Sequence, residues 1–279
     1  MIPSRNQAMW RYLVIVTVCV WSIPTALMVN SIVPRPYMDE IFHIPQAQQY
    51  CQWNFRSWDP MITTPPGLYL ASLLYVACWA PNFTLQRRVS SLADVCSTPI
   101  LRSVNCLLAV VCSVVVYEII CHVRPGIRGR TAALASMALS LFPLHWFFTF
   151  LYYTDVASLT AVLAMYLTSL RKRYRISALI GLSSVLIRQT NIVWMLFVAC
   201  TGMLETIGNQ KRKTISEYER KLLTEESIQS ASKKMVPERS SIRRRKIMSV
   251  QDYTEDSSIP ATDHFSGSPP TYFLRVYGF

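Results

Sequence analysis

The chain has 279 residues, 51% of them apolar and 16% charged, and a formal net charge of +12. A positive excess of that size suits nucleic acid, but here it sits in short clusters flanking apolar runs, as in the cytosolic anchoring of a membrane protein, which argues against nucleic-acid binding. The eight cysteines form no CxxC pair, and most of them (Cys19, Cys106, Cys112, Cys121 and Cys200) lie inside apolar runs, so no zinc site is implied.

Taken in order, the first apolar run is Tyr12 to Val33, after Arg5 and Arg11. It is long enough to cross about 30 Å of hydrocarbon. Lacking a short apolar core and a clear cleavage site, it reads as an uncleaved anchor with its basic flank in the cytosol. The segment from about 34 to 102 is then a large luminal loop. Within it, Gly67 to Ala80 is an apolar run of 14 residues, better suited to an interfacial or re-entrant helix than to a full span. Cys51, Cys78 and Cys96 share this loop, where an oxidising compartment permits a disulfide. Spacing does not choose the pair, and an unpaired thiol stays open as the alternative. Asn82-Phe83-Thr84 matches the N-glycosylation sequon and serves as a topology reporter.

Val104 to Val123 and Thr131 to Phe150 read as spans joined by a short cytosolic loop carrying Arg124, Arg128 and Arg130. Val156 to Leu170 follows and ends at Arg171, Lys172, Arg173 and Arg175. Ile176 to Ile187 and Ile192 to Leu204 flank Arg188-Gln189-Thr190-Asn191, before Lys211, Arg212 and Lys213. Two spans there give about six in all, with every basic cluster cytosolic and Arg188 luminal; the alternative is one long broken helix. A boundary belongs near Gln210, because residues 1–210 and 211–279 each hold 22 charges and the second part is a third as long. Residues 211–279 read as a polar, basic, disordered cytosolic tail. The fold class is all-α, a polytopic membrane protein followed by that tail.

Chemistry concentrates where these runs emerge. Asp39-Glu40 and His43 follow the first span, where a carboxylate can take the proton of a hydroxyl that attacks a sugar's anomeric carbon. Adjacent acids also solvate loops or cap helices. Trp58-Asp59-Pro60 joins an aromatic face to a rigid turn, as in sugar stacking or an interface belt. Tyr152, Tyr153 and Asp155 mark the next luminal edge, where Asp155 is a helix cap or a second active-site acid. Arg188 between two apolar runs needs a partner. A lipid-linked phosphate suits it, with Gln189 and Asn191 adding neutral hydrogen bonds, and so does an ion pair with Asp155. Arg87 and Arg88 are weaker phosphate contacts, and His122 and His145 read as core histidines. A transporter would need facing polar groups at mid-membrane depth, for which Arg188 is the one serious residue.

Pro36-Tyr37-Met38-Asp39-Glu40-Ile41-Phe42-His43, Gln46-Ala47-Gln48, Trp58-Asp59-Pro60-Met61-Ile62-Thr63-Thr64, Phe150-Leu151-Tyr152-Tyr153-Thr154 and Arg188-Gln189-Thr190-Asn191 occur in that order. Together they resemble the dolichyl-phosphate-glucose-dependent α-1,2-glucosyltransferase family, over roughly residues 10–207. The resemblance implies the N-terminal half of a GT-C-type fold in the endoplasmic-reticulum membrane, with a luminal active site. It implies dolichyl phosphate glucose as donor and the diglucosylated lipid-linked oligosaccharide as acceptor, in the step that adds the terminal α-1,2-linked glucose before protein N-glycosylation. Asp39 would be the general base, supported by Glu40 and His43. Arg188, Gln189, Asn191, Tyr152, Tyr153, Asp155, Trp58 and Asp59 would bind substrate. Inversion by a single displacement would follow; no cofactor is implied, and Arg contacts could stabilise the phosphate leaving group without a metal, whose involvement the residues leave open. Family members continue with further spans after the Arg188 region, whereas this chain passes into its polar tail. A non-catalytic membrane interaction or regulatory protein is the alternative reading.

Overall fold

The structure, a computed structural model, describes residues 5–85 and 95–234. Arg87, Arg88 and the end of the expected tail, residues 235–279, lie outside the described residues. All regular structure among the described residues is helical: α1 (Arg5–Ile32), α2 (Glu40–Cys51), α3 (Gly67–Leu85), α4 (Thr98–Val123), α5 (Gly129–Ser140), α6 (Pro143–Thr149), α7 (Thr154–Leu170), α8 (Tyr174–Ile187) and α9 (Asn191–Lys234). The chain is an all-α polytopic membrane protein. It divides into two compact units, Met1–Arg220 and Lys221–Phe279; residues 221–234 of the second are described, and they are helical.

Among the described residues, the helices long and apolar enough to cross a membrane run over Asn6–Ile32, Thr98–Val123 and Asn191–Glu225. α5 and α6 would together make a fourth span, but they meet at a 67° bend. The run Thr131 to Phe150, expected as one straight span, breaks because Pro143 has no N–H to donate and forces Phe142 out of helical geometry (φ −57°, ψ 128°). Gly67–Cys78, Thr154–Leu170 and Tyr174–Ile187 are shorter apolar helices. The sequon at Asn82 falls near the end of α3. α9 continues past Gln210, where the tail was expected to begin. Residues 209–234 contain neither Gly nor Pro and are rich in Glu, Lys and Arg, with Glu217 four residues before Lys221, so local propensity extends the helix. Lys211 to Glu225 are all exposed.

Much of the surface is apolar. α1 exposes Trp21, Ile23, Leu27 and Ile32, α8 exposes Leu179 and Leu182, and α9 exposes Val193, Trp194 and Leu204. Facing hydrocarbon, these side chains cost nothing, and helix association rests on close packing and polar contacts instead. Small residues supply the first. Val14 and Val18 of α1 and Tyr117 of α4 pack with Ala132 and Ala133 of α5. Gly129 admits Trp10, whose Cδ1 would lie 2.6 Å from an added Cβ.

The bundle has two polar ends. At one, Glu118 of α4 receives Arg11 of α1 at 3.5 Å and also pairs with Arg171 at the end of α7. The basic residues of 124–130 and 171–175 flank this end. About 24 Å up α4, at 1.5 Å per residue, lies Arg102, and there α2, α3, α4 and α7 meet. Ile44, Ala47, Tyr50, Leu68, Tyr69, Leu101, Tyr152 and Ala157 form the core at this second end. A disulfide joins Cys51 to Cys96, resolving the pairing that spacing left open; Cys78 is free.

α3 begins against the last turn of α8. A Cβ on Gly67 would lie 2.5 Å from both the carbonyl carbon and oxygen of Leu186, backbone atoms that cannot swing aside. Gly67→Ala is therefore expected to destabilise the chain by about 1–3 kcal/mol, read as a lower unfolding midpoint in detergent; an unchanged midpoint would show that the contact is soft.

Candidate active site

α1 ends at Ile32 and α2 begins at Glu40, so residues 33–39 turn the chain over the end of the bundle. Met38 takes a left-handed conformation (φ 54°), uncommon for a residue with a side chain and costing about 1–3 kcal/mol. It persists because its neighbours are fixed. Glu40 is wholly buried. Its Oε1 accepts from Arg102 Nε at 2.9 Å and from the Tyr152 N–H at 2.6 Å, and its Oε2 from Arg102 Nη2 at 2.6 Å and from the Tyr37 N–H at 3.0 Å. Arg102, equally buried, uses its remaining donors on Asn30 Oδ1 (3.0 Å) and the carbonyls of Val33 (2.7 Å) and Arg35 (3.2 Å). A carboxylate offers about four acceptor positions and a guanidinium five donors. All are filled. Glu40 thus has no position left for a substrate proton, and of the two adjacent acids only Asp39 faces outward.

Asp39 occupies the position before α2 in helical geometry (φ −69°, ψ −9°), yet its carboxylate makes no capping bond and is exposed. Its backbone N–H donates to the Tyr153 hydroxyl at 2.8 Å. His43, one turn into α2, is buried, with Nδ1 2.6 Å from the Tyr69 hydroxyl and its ring 6.1 Å from that of Tyr153. Burial pushes the imidazole below its ordinary value, against the opposing pull of Asp39, then Asp155 and Glu40. In the neutral tautomer with its proton on Nε2, the ring accepts the Tyr69 phenolic proton at Nδ1.

Asp155, in the first turn of α7, accepts from Arg188 Nη1 at 2.6 Å, so the ion pair foreseen as one alternative is present. It is half open to solvent and lines a groove of about 610 Å³ with Phe142, His145, Phe148 and Trp194. The groove walls are mostly apolar, with Asp155 and Arg188 among the polar lining. The Tyr153 ring touches Phe148 (centroids 5.2 Å), connecting this groove to the Asp39 loop.

The other residues marked from sequence form the frame. Tyr152 is fully buried with its hydroxyl 2.7 Å from Ser72 Oγ. Asn191 accepts from Ser158 Oγ (2.8 Å) and donates to the Ser184 carbonyl (2.9 Å), tying α7, α8 and α9 together. Asp59 Oδ1 accepts from the Met61 N–H (2.9 Å), closing its turn, while Gln46 holds the Ser57 carbonyl and the Asp59 N–H. Trp58 packs edge-on against Tyr69 (5.9 Å) and stays partly exposed. Gln189 is exposed. Sequence reasoning missed Arg102, which stands in an apolar helix and so demanded a partner. The span was expected to begin at Val104, six residues after the helix starts at Thr98 with Pro99 in its first turn, which left Arg102 outside it. His145, read as core, lines the groove.

The DIE2/ALG10 family model matches residues 33–255. This chain belongs to that family. It is 62% identical over 195 residues to an Arabidopsis thaliana protein named Dol-P-Glc:Glc(2)Man(9)GlcNAc(2)-PP-Dol alpha-1,2-glucosyltransferase, covering 69% of this chain and 38% of the relative. A Homo sapiens protein of the same name is 38% identical over 67% of this chain and 40% of its own length. For a Drosophila melanogaster protein, also of that name, the values are 34%, 74% and 42%. The chain thus spans about two fifths of the curated relatives it matches. No solved structure matches it.

His43 makes stability depend on pH. Unfolded, the imidazole binds a proton near 6.5; folded, it does so only at lower pH. The unfolded state therefore holds more protons in that window, and His43's contribution is complete above about 6.5 and lost as pH falls toward the folded value. His43→Asn, which keeps an acceptor for Tyr69, should flatten the fall in unfolding midpoint between pH 7 and 5. Equal slopes in both forms would contradict this.

Proposed function

We propose that this chain carries the acceptor-activating end of a dolichyl-phosphate-glucose-dependent α-1,2-glucosyltransferase, transferring glucose to the diglucosylated lipid-linked oligosaccharide on the luminal face of the endoplasmic-reticulum membrane. The observation that carries the reading is the contrast between the two acids: Glu40 is saturated and buried, while Asp39 presents an exposed carboxylate from the same rigid turn.

In this mechanism Asp39 takes the proton of the acceptor's attacking hydroxyl as that oxygen bonds to the anomeric carbon of glucose. The bond from that carbon to the phosphate oxygen breaks, and its electron pair leaves with dolichyl phosphate. One displacement inverts the anomeric carbon, turning a β-linked donor into an α-linked product. Arg188 turns its guanidinium to the phosphate as charge builds on it, and Asp155 holds that guanidinium at the mouth of the groove. The groove takes the proximal part of the lipid chain. Tyr153 borders the space between donor and Asp39, Gln189 is exposed beside Arg188, and Trp58 offers an aromatic face to the acceptor sugar. Glu40, Tyr152, Asn191 and Asp59 act by holding these groups in place.

The membrane orientation has two supports. The disulfide Cys51–Cys96 at the Asp39 end fits an oxidising lumen, and the basic residues gather at the Glu118 end, as for a cytosolic face.

Asp39→Asn removes the base and keeps the size. Glucose transfer from dolichyl phosphate glucose to the diglucosylated acceptor, measured in microsomes lacking the endogenous enzyme, should fall by about 10²–10⁴-fold. A fall of less than that range would remove Asp39 from the role of base, and absence of turnover by the well-expressed parent would assign this chain a binding function in place of catalysis.

A further inference from the structure

One turn of α4 bears two buried polar side chains, Arg102 and Asn105, three residues apart and so on one face. Arg102 fastens the loop that presents Asp39, through Glu40 and the carbonyls of Val33 and Arg35. Asn105 fastens the loop before α7: its Nδ2 donates to the carbonyls of Leu151 (2.6 Å) and Tyr153 (2.8 Å). The two loops are also latched to each other, since the Tyr152 N–H donates to Glu40 and the Asp39 N–H donates to Tyr153. Asp39, in the first of these loops, and Asp155, in the helical turn that follows the second, lie more than a hundred residues apart and thereby take their positions from a single turn of α4.

Stability alone does not call for these groups. Buried ion pairs replaced by apolar side chains of similar volume are often neutral or stabilising, and Asn105 Oδ1 has no hydrogen-bond partner among the described residues, which itself carries a penalty. What this turn supplies that an apolar turn could not is directional hold on two loops. We propose that Arg102 and Asn105 are positioning residues for glucosyl transfer, setting the Asp39 carboxylate against the Asp155–Arg188 groove. Neither side chain touches substrate; both act through the loops they hold. The inference rests on Asp39 being the base, as argued above.

Arg102→Lys tests it, because an ammonium keeps the charge but loses the planar fork that spans Glu40 and two carbonyls. Rates are measured in the same microsomes and normalised to molecules bearing the Cys51–Cys96 disulfide, which counts folded chains. Arg102→Lys and Asn105→Leu are each expected to lower kcat at least about tenfold, as for a small misplacement of reacting groups, while KM for the donor moves by less than about twofold. Unchanged kcat per folded molecule would overturn the proposal, since a merely structural residue lowers the amount of folded chain and leaves its kcat intact. A second arm needs no turnover. Asp39→Cys is alkylated with a membrane-impermeant maleimide, with and without Arg102→Lys, against the background of chains that retain Asp39. A severalfold change in alkylation rate with the disulfide intact supports the positioning role; equal rates overturn it. A parent chain without turnover would defeat the catalytic reading and leave this arm to decide the positioning claim.

Discussion

A carboxylate and a guanidinium cannot enter an apolar interior singly, and even together they lose hydration worth several kcal/mol per ion. Glu40 and Arg102 meet that demand by filling every donor and acceptor they possess, with each other and with five further groups. Those further groups come from the end of α1, the turn before α2 and the loop before α7. The requirement for complete satisfaction therefore brings together segments that are far apart in sequence and fixes the strained turn at Met38. Asp39 is exposed because its neighbour is buried. An isolated exposed acid would be one more surface charge; mounted on this turn, it has a defined direction.

The same logic of sparse polar contacts in an apolar frame recurs down the bundle. Asn191 ties three helices at one end of α8, and Glu118 collects two arginines at the opposite polar end. The pair Asp155–Arg188 differs from these in being partly exposed and lining the groove, which in the proposed mechanism lets it exchange partners with a phosphate. Burial and saturation mark the residues that hold; partial exposure marks those free to act. By that criterion the proposed mechanism gives Asp39, Asp155 and Arg188 to the chemistry, and Glu40, Arg102 and Asn105 to its frame.

The apolar runs were legible in the sequence because hydrocarbon imposes length and composition on whatever crosses it. α1, α4, α7 and α8 lie close to where hydropathy puts them. Pro143 was equally visible, but hydropathy averages over it, which is why the break between α5 and α6 was read as continuous. The extension of α9 beyond Gln210 escaped because a polar stretch with little apolar periodicity reads as disorder, whereas long charged side chains without Gly or Pro favour a helix. The motif Asp39-Glu40 was conspicuous, yet adjacency alone cannot say which acid is buried. That distinction depends on Arg102, sixty-two residues beyond Glu40, and a one-dimensional reading that begins a span at Val104 places Arg102 in solvent. His145 failed for the converse reason, since an apolar neighbourhood in sequence does not distinguish a core from the wall of a groove.

The central claim, that one desolvated ion pair organises this end of the molecule, is tested most directly by a double-mutant cycle on Glu40→Gln and Arg102→Gln, with unfolding free energies measured in detergent. Each single change strands a buried charge, at about 3–5 kcal/mol, and the double change strands none. The account expects the two single losses to exceed the double loss by at least about 2 kcal/mol. Losses that add to within about 0.5 kcal/mol would mean that the two side chains act independently, and the frame proposed for Asp39 would not stand.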